Sequence, residues 1–208
     1  PWGSLISFSG LTFYGGLIIA TIAVIIYIRK YNMSVIHFAD AMSPTMIFAY
    51  AAGRIGCHIS GDGDWGIANF NPKPFSWLPD WMWAYHYPHN VVNQGVPIPG
   101  CIGNYCNQLP DAVYPTTFYE IIIMFILFAI IWVLRKKITQ PGILTAVYFL
   151  FAGGERFLIE KIRVNNKYTS LPFQPTQAEL ISTFLILLGI VFLIKSKTWF
   201  PKNNSKTL

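Results

Sequence analysis

Ala49-Tyr50-Ala51-Ala52-Gly53-Arg54-Ile55-Gly56-Cys57-His58-Ile59-Ser60-Gly61-Asp62-Gly63-Asp64-Trp65-Gly66 decides how this chain is read. It begins as a run of small residues within apolar sequence, carries Arg54 into that run, and breaks into a glycine-rich acidic loop. A charge in or near hydrocarbon costs about 3 kcal/mol or more, so a cluster of this kind marks a functional site. If the helix before the loop continues, Cys57 and His58 follow Arg54 at i+3 and i+4 and share its face.

The surroundings place this stretch in a membrane. Of 208 residues, 53% are hydrophobic and only 12% charged, about half the charged fraction of a soluble domain. Apolar runs predict five transmembrane helices, at about 11–28, 36–59, 115–134, 143–162 and 178–194, because about 20 apolar residues cross a bilayer. The predicted fold is an all-α integral membrane protein, a single polytopic helical bundle over 1–208. In the second segment, Asp40 and Pro44 are expected to interrupt the first half, and small residues (Ala41, Ser43, Ala49, Ala51, Ala52, Gly53) to pack inside the bundle. Thr116 or Thr117 is a candidate cap for the third segment, with Glu120 in its first turn. Thr176 and Glu179 have capping-box spacing. Arg156, Glu160 and Arg163 follow i, i+4, i+7 and predict one charged stripe.

The connection at 60–114 is rich in Pro, Trp and Tyr, which predicts a folded cap on the membrane surface. His86-Tyr87-Pro88-His89 is not read as a metal site, because it has no acidic neighbour and proline lies inside the spacing. Cys101 and Cys106 flank four loop residues and suit one disulfide beside a free Cys57; three free thiols is the other reading.

The net charge of +6 is read as basic loop ends facing the cytoplasm, not as nucleic-acid binding. Arg29, Lys30, Arg135, Lys136, Lys137, Lys195, Lys197, Lys202 and Lys206 fall on one side if five segments alternate. The cap and Asn165-Asn166-Lys167 then fall outside, together with Arg54, Arg156 and Arg163. A positive cluster there asks for an anion, and a lipid phosphate is the nearest. Arginine forks beside the amides of Gly61, Gly63 and Gly66 suit a phosphate. The other reading of Arg54 is a structural arginine paired with Asp62 or Glu160. Asp62 and Asp64 lack the ligand spacing of a calcium loop, and neither a metal nor a cofactor is expected. His58 is either a packed histidine or a base at the site.

Gly53-Arg54-Ile55-Gly56 followed by Gly61-Asp62 and Trp65-Gly66 resembles the signature of bacterial prolipoprotein diacylglyceryl transferases. Three further stretches resemble that family in order and spacing: Gly10-Leu11-Thr12-Phe13-Tyr14-Gly15-Gly16-Leu17, Tyr114-Pro115-Thr116-Thr117-Phe118-Tyr119-Glu120, and Glu155 to Arg163. The likeness covers about residues 10–195. Tyr14 stands where the family has histidine, Cys57 where it has asparagine, and Asp62 where it has glutamate, with one extra residue around Gly63-Asp64. The family has seven membrane segments, so the resemblance implies that N-terminal segments are missing from this chain.

The resemblance implies an enzyme of the bacterial inner membrane that moves the diacylglyceryl group of phosphatidylglycerol to the lipobox cysteine of a lipoprotein precursor. It implies Arg54, Arg156, Tyr14, His58 and Asp62 as catalytic, with Gly15, Gly16, Gly61, Gly66, Tyr119, Glu120, Glu160 and Arg163 binding substrate. Arg54 and Arg156 would take the phosphate and Glu160 would orient Arg156; the base is left open between Tyr14, in the family's histidine position, and His58, which shares the Arg54 face. The alternative is a catalytically lapsed relative acting as a lipid-binding or scaffolding subunit. Partners are membrane lipids and, through the aromatic loop, other proteins of a membrane complex.

Overall fold

The computed structural model describes residues 8–164 and 175–201, without the side chains of 8–14 and 17. Among the described residues the chain forms five long helices, one short helix and one two-stranded ribbon. The helices are α1 (Phe8–Lys30), α2 (Val35–Ser60), α3 (Asp80–Trp83), α4 (Thr116–Leu134), α5 (Ile143–Ile159) and α6 (Gln177–Trp199). The strands β1 (Val96–Pro97) and β2 (Asn107–Gln108) pair antiparallel, Val96 opposite Gln108. Both α4 and α6 are long and apolar enough to cross a membrane. The expected positions of Asn165, Asn166, Lys167, Lys202 and Lys206 lie outside the described residues.

The core forms where α2, α4 and α5 meet. Ile47 and Ala51 from α2 pack with Met124 and Ile131 from α4 and Leu144 from α5. Tyr148 and Phe151 extend this cluster along α5. They share a face with Leu144 through the i, i+4, i+7 spacing. The next member of that stripe is Glu155, so the apolar core ends on a carboxylate. On its other face α5 packs closely on α6: a Cβ at Gly153 would lie 2.8 Å from Ser182 O, and one at Gly189 would lie 3.0 Å from Ala146 O. Small residues here let the two backbones approach.

Several local expectations are corrected. Helix α2 runs unbroken through Pro44, and Ser43 Oγ donates to Ala39 O at 2.8 Å one turn back. Asp40 does not break the helix; it reaches across to α5. Its Oδ2 accepts from the Gly142 amide at 2.7 Å, and its Oδ1 from the Thr145 amide at 2.8 Å and hydroxyl at 2.6 Å. Two free amides at the α5 start therefore find an acceptor from another element. Ser43 and Ala51 are buried as expected, but Ala41, Ala49, Ala52 and Gly53 are exposed. Helix α5 stops at Ile159, so Arg163 is not part of a helical stripe. Helix α6 runs on to Trp199 behind the Thr176–Glu179 capping box.

The cap is folded by its own polar network and by rings. Asn90 is buried, and its amide donates to Tyr87 O, Gln94 O and Asn107 O at 3.0–3.2 Å. Trp65, Tyr87, Leu109 and Val113 form a small second core. A disulfide joins Cys101 and Cys106, and Cys57 is free. His86 Nδ1 and His89 Nδ1 lie 3.0 and 2.8 Å from the carbonyls of Leu109 and Tyr105.

Candidate anion site at the capped end of the bundle

Four segments bring their charges to one point above the apolar core. Arg54 comes from the last turns of α2, and Glu120 from just past the first turn of α4. Arg156 and Glu160 come from the end of α5. Arg163 follows on an extended segment: the Ile67 amide donates to Ile162 O at 2.9 Å, and Gly66 bridges Arg163. That bridge needs glycine, because a Cβ at position 66 would lie 2.7 Å from Ile162 O and 2.9 Å from Tyr114 Cβ.

Glu120 is the hub of the cluster. It is fully buried, and its Oε2 lies 2.7 Å from Arg54 Nε. Its Oε1 lies 3.4 Å from Arg156 Nη1 and 3.7 Å from Arg163 Nη1, and accepts from the Tyr50 hydroxyl at 3.4 Å. Glu160 holds Arg156 from one turn along at 3.3 Å. Asp64 pairs with Arg54 through one oxygen and with Arg163 through the other. Tyr50 accepts from Arg54 Nη2 at 3.1 Å and lies under its guanidinium. Burial and the nearby Arg54 charge pull the Arg163 guanidinium below its ordinary value. Glu155 completes the group as a buried carboxyl, and among the described residues neither oxygen has a hydrogen-bond partner.

Five of the thirteen site residues named from sequence meet here, and several others play other parts. Arg54, Arg156, Glu120, Glu160 and Arg163 come together as one network. Glu120 does not cap α4: no side-chain bond caps that helix, and Thr116 Oγ1 donates to Asp64 O at 2.7 Å instead. Asp62 is exposed and accepts from the Asp64 amide at 3.2 Å, whereas Asp64 takes the arginines. The turn between them is set by Gly61 and Gly63 at φ of 60° and 100°, a region that favours glycine.

Gly61 and Gly66 do not offer amides to a ligand. Their N–H groups donate to Cys57 O at 3.0 Å and Tyr114 O at 2.9 Å. Gly61 instead ends α2 and lets Asn90 approach, its virtual Cβ lying 2.8 Å from Asn90 Cβ. Gly15 and Gly16 have open space beside them among the described residues. The side chain of Tyr14 lies outside the described residues. The Tyr119 hydroxyl is buried and without a hydrogen bond among the described residues.

His58 turns away from the arginines. Its Nδ1 lies 3.1 Å from Thr117 Oγ1 and 3.3 Å from the Tyr87 hydroxyl. Trp81, Tyr85, Tyr87 and Phe118 surround its ring at centroid distances of 5.7–6.1 Å. Burial pushes the Tyr87 hydroxyl above the ordinary tyrosine value, so it stays protonated. Sequence reasoning missed Tyr50 and Tyr87 at the site, and gave Asp64 and Thr117 other roles, in a weighed calcium loop and a helix cap. Only Tyr50 left a signal, one helical turn before Arg54.

Cys57, Asp62 and Asp64 bring ligand atoms within 4.8 Å of one another. Asp64 is already held by two guanidiniums, whose charge opposes a cation. Three arginines converge here, each held by a carboxylate from another segment.

The described residues thus form a mostly helical chain with two membrane-length apolar helices, α4 and α6, and a buried arginine–carboxylate network at one end. The prolipoprotein diacylglyceryl transferase profile matches residues 4–195. The chain belongs to that family. It is 29% identical to a phosphatidylglycerol–prolipoprotein diacylglyceryl transferase of Leptospira interrogans, over 98% of this chain and 64% of that protein. The Dehalococcoides mccartyi enzyme of the same name is 28% identical over 92% of this chain and 64% of its own length. A Corynebacterium diphtheriae relative is 29% identical over 76% of this chain and 52% of its own. The chain thus spans less than two thirds of these relatives' length.

Proposed function

We propose that this chain carries the phosphate-handling part of a phosphatidylglycerol–prolipoprotein diacylglyceryl transferase. The observation that carries the reading is the meeting of Arg54, Arg156 and Arg163 around Glu120 at the capped end of the bundle. The five long helices cross the bacterial cytoplasmic membrane, with the basic turn at 135–137 inside and the cap at 60–114 outside. Phosphatidylglycerol and lipoprotein precursors are the substrates.

In the reaction the lipobox thiolate attacks a glyceryl carbon of phosphatidylglycerol. The S–C bond forms, the C–O bond to phosphate breaks, and its electron pair leaves on glycerol phosphate. The thiol proton goes to a base. Negative charge grows on the phosphate oxygens as the bond breaks, so preformed arginine donors gain strength in the transition state. Arg54 and Arg156 are the phosphate donors, and Glu120 and Glu160 fix their forks. Glu120 acts through the arginines and is a positioning residue. His58 holds the cap to α2 and α4, and is better placed as a latch than as the base, because rings and hydroxyls enclose it.

The test is thioether formation on a lipobox peptide by full-length protein in vesicles containing phosphatidylglycerol, read by mass spectrometry. Arg54→Ala and Arg156→Ala are expected to lose at least 100-fold in kcat, the scale for a lost transition-state donor. Absence of product from the wild-type protein overturns the transferase reading. Retained phosphatidylglycerol without turnover would favour a lipid-binding subunit.

A further inference from the structure

A cavity lies at the opposite end of the bundle from the arginine cluster. It encloses about 340 Å³ between the first turns of α2 and the turn joining α4 to α5. Arg135 is about 22 Å from Glu120 along α4, at 1.5 Å per residue. The two sites are therefore separate.

We propose that this cavity binds the phosphate group of an anionic phospholipid in the leaflet at the basic end. Arg135 stands at the rim with its guanidinium 3.4 Å from the centre of the Trp132 ring. Stacking fixes the plane of the fork and leaves its edge N–H groups open to a phosphate. Trp132 is itself exposed, as an interfacial tryptophan is. His37 lines the opposite side. Its Nδ1 is engaged by Ser34 Oγ at 2.9 Å, which leaves Nε2 for the cavity.

The floor is Pro44 and Leu144, both buried apolar residues that suit the glycerol and first acyl carbons. Asp40 also lines the cavity, but its oxygens accept from Gly142 and Thr145. Its charge is spent on the positive end of α5. Lys136 and Lys137 follow directly and are exposed, which keeps the local potential positive. A volume near 340 Å³ is at the small end for a ligand site and fits a headgroup, not a whole lipid. The shared chemistry is a phosphate; the apolar floor and the interfacial tryptophan assign it to a lipid, not to a free anion.

The inference rests on the membrane orientation proposed above, with residues 135–137 at the cytoplasmic surface. The test is native mass spectrometry of the full-length protein, titrated with phosphatidylglycerol, phosphatidylcholine or inorganic phosphate, alongside thioether turnover on the same preparations. In an Arg54→Ala background, one phosphatidylglycerol per chain is expected to persist. Adding Arg135→Ala is expected to weaken it at least ten-fold, with Arg135→Lys intermediate. Arg135→Ala alone is expected to keep turnover within two-fold of wild type, which also shows that the variant folds. Equal retention of phosphatidylglycerol with and without Arg135 overturns the site, as does equal retention of phosphatidylcholine. Saturation by inorganic phosphate at the same concentration as the lipid overturns the lipid assignment. Loss of turnover in the wild type with this pattern intact strikes the transferase reading alone.

Discussion

Arg54 Nε lies 2.7 Å from Glu120 Oε2, joining the end of α2 to the start of α4 inside the bundle. Glu120 is fully buried, and the Arg54 side chain is 13% exposed. Two elements that are distant in sequence are thus tied by one charge pair just above the apolar core of Ile47, Ala51 and Met124.

Glu120→Gln should therefore cost more than one contact. It leaves Arg54 short of its closest carboxylate and weakens the hold on Arg156 and Arg163. Removing one partner of a buried pair costs about 3–5 kcal/mol. Thermal unfolding in detergent is expected to show a drop on this scale. An Arg54→Met and Glu120→Leu double variant should recover much of it, since well-packed apolar residues often replace a buried pair without loss. Turnover should be lost in both. A single Glu120→Gln variant as stable as wild type would show that the carboxylate is not the hub.

Asp64 bridges Arg54 and Arg163, so in the proposed reading it competes with the substrate phosphate for Arg54. Its side chain is 30% exposed and sits on a loop turned by Gly61 and Gly63, so it is the easiest carboxylate of the network to displace. Asp64→Asn removes the competing charge and keeps the size. Its expected effect is a several-fold lower KM for phosphatidylglycerol, with a modest fall in melting temperature. A higher KM would instead make Asp64 a fixed part of the binding geometry. The sign of the change decides between the two.

Much of this site is legible in the amino-acid sequence, for a plain reason. Charges in apolar sequence are few, so Arg54, Glu120, Arg156 and Glu160 stand out by cost alone. Their meeting point follows from alternating the segments. What is not legible depends on single turns. One extra residue in Gly61-Asp62-Gly63-Asp64 exchanges which aspartate faces inward, and no periodicity applies within a loop. Arg163 reaches the cluster by a bridge to Gly66, not by helical spacing, because α5 stops four residues earlier. The cap pairs residues far apart, such as Tyr87 with Thr117 at 3.1 Å, and sequence alone carries no trace of that contact.

Asp40 illustrates the same limit and gives a third prediction. An acid in an apolar helix near a proline looks like a break, yet it serves as the N-terminal cap of another helix. Losing such a cap costs about 1–2 kcal/mol. Asp40→Ala is expected to lower stability by that amount and to increase hydrogen exchange at Gly142 and Thr145. Asp40→Asn, which keeps one acceptor, should lose less. Exchange at these amides matching the wild type would rule out the capping role.

His58 tests how the cap is held. Its ring lies among Trp81, Tyr85, Tyr87 and Phe118, and its Nδ1 meets Thr117 of α4. As a latch, it should be replaceable by another flat side chain that keeps the packing. His58→Phe is expected to hold the cap, with turnover within a few-fold of wild type. His58→Ala empties the cage and should speed protease cleavage across the exposed stretch 70–77 several-fold. A base behaves otherwise: both variants would lose kcat alike while the cap stayed as protected as in the wild type. Limited proteolysis and turnover measured on the same two proteins therefore separate a histidine that fastens the cap from one that moves a proton.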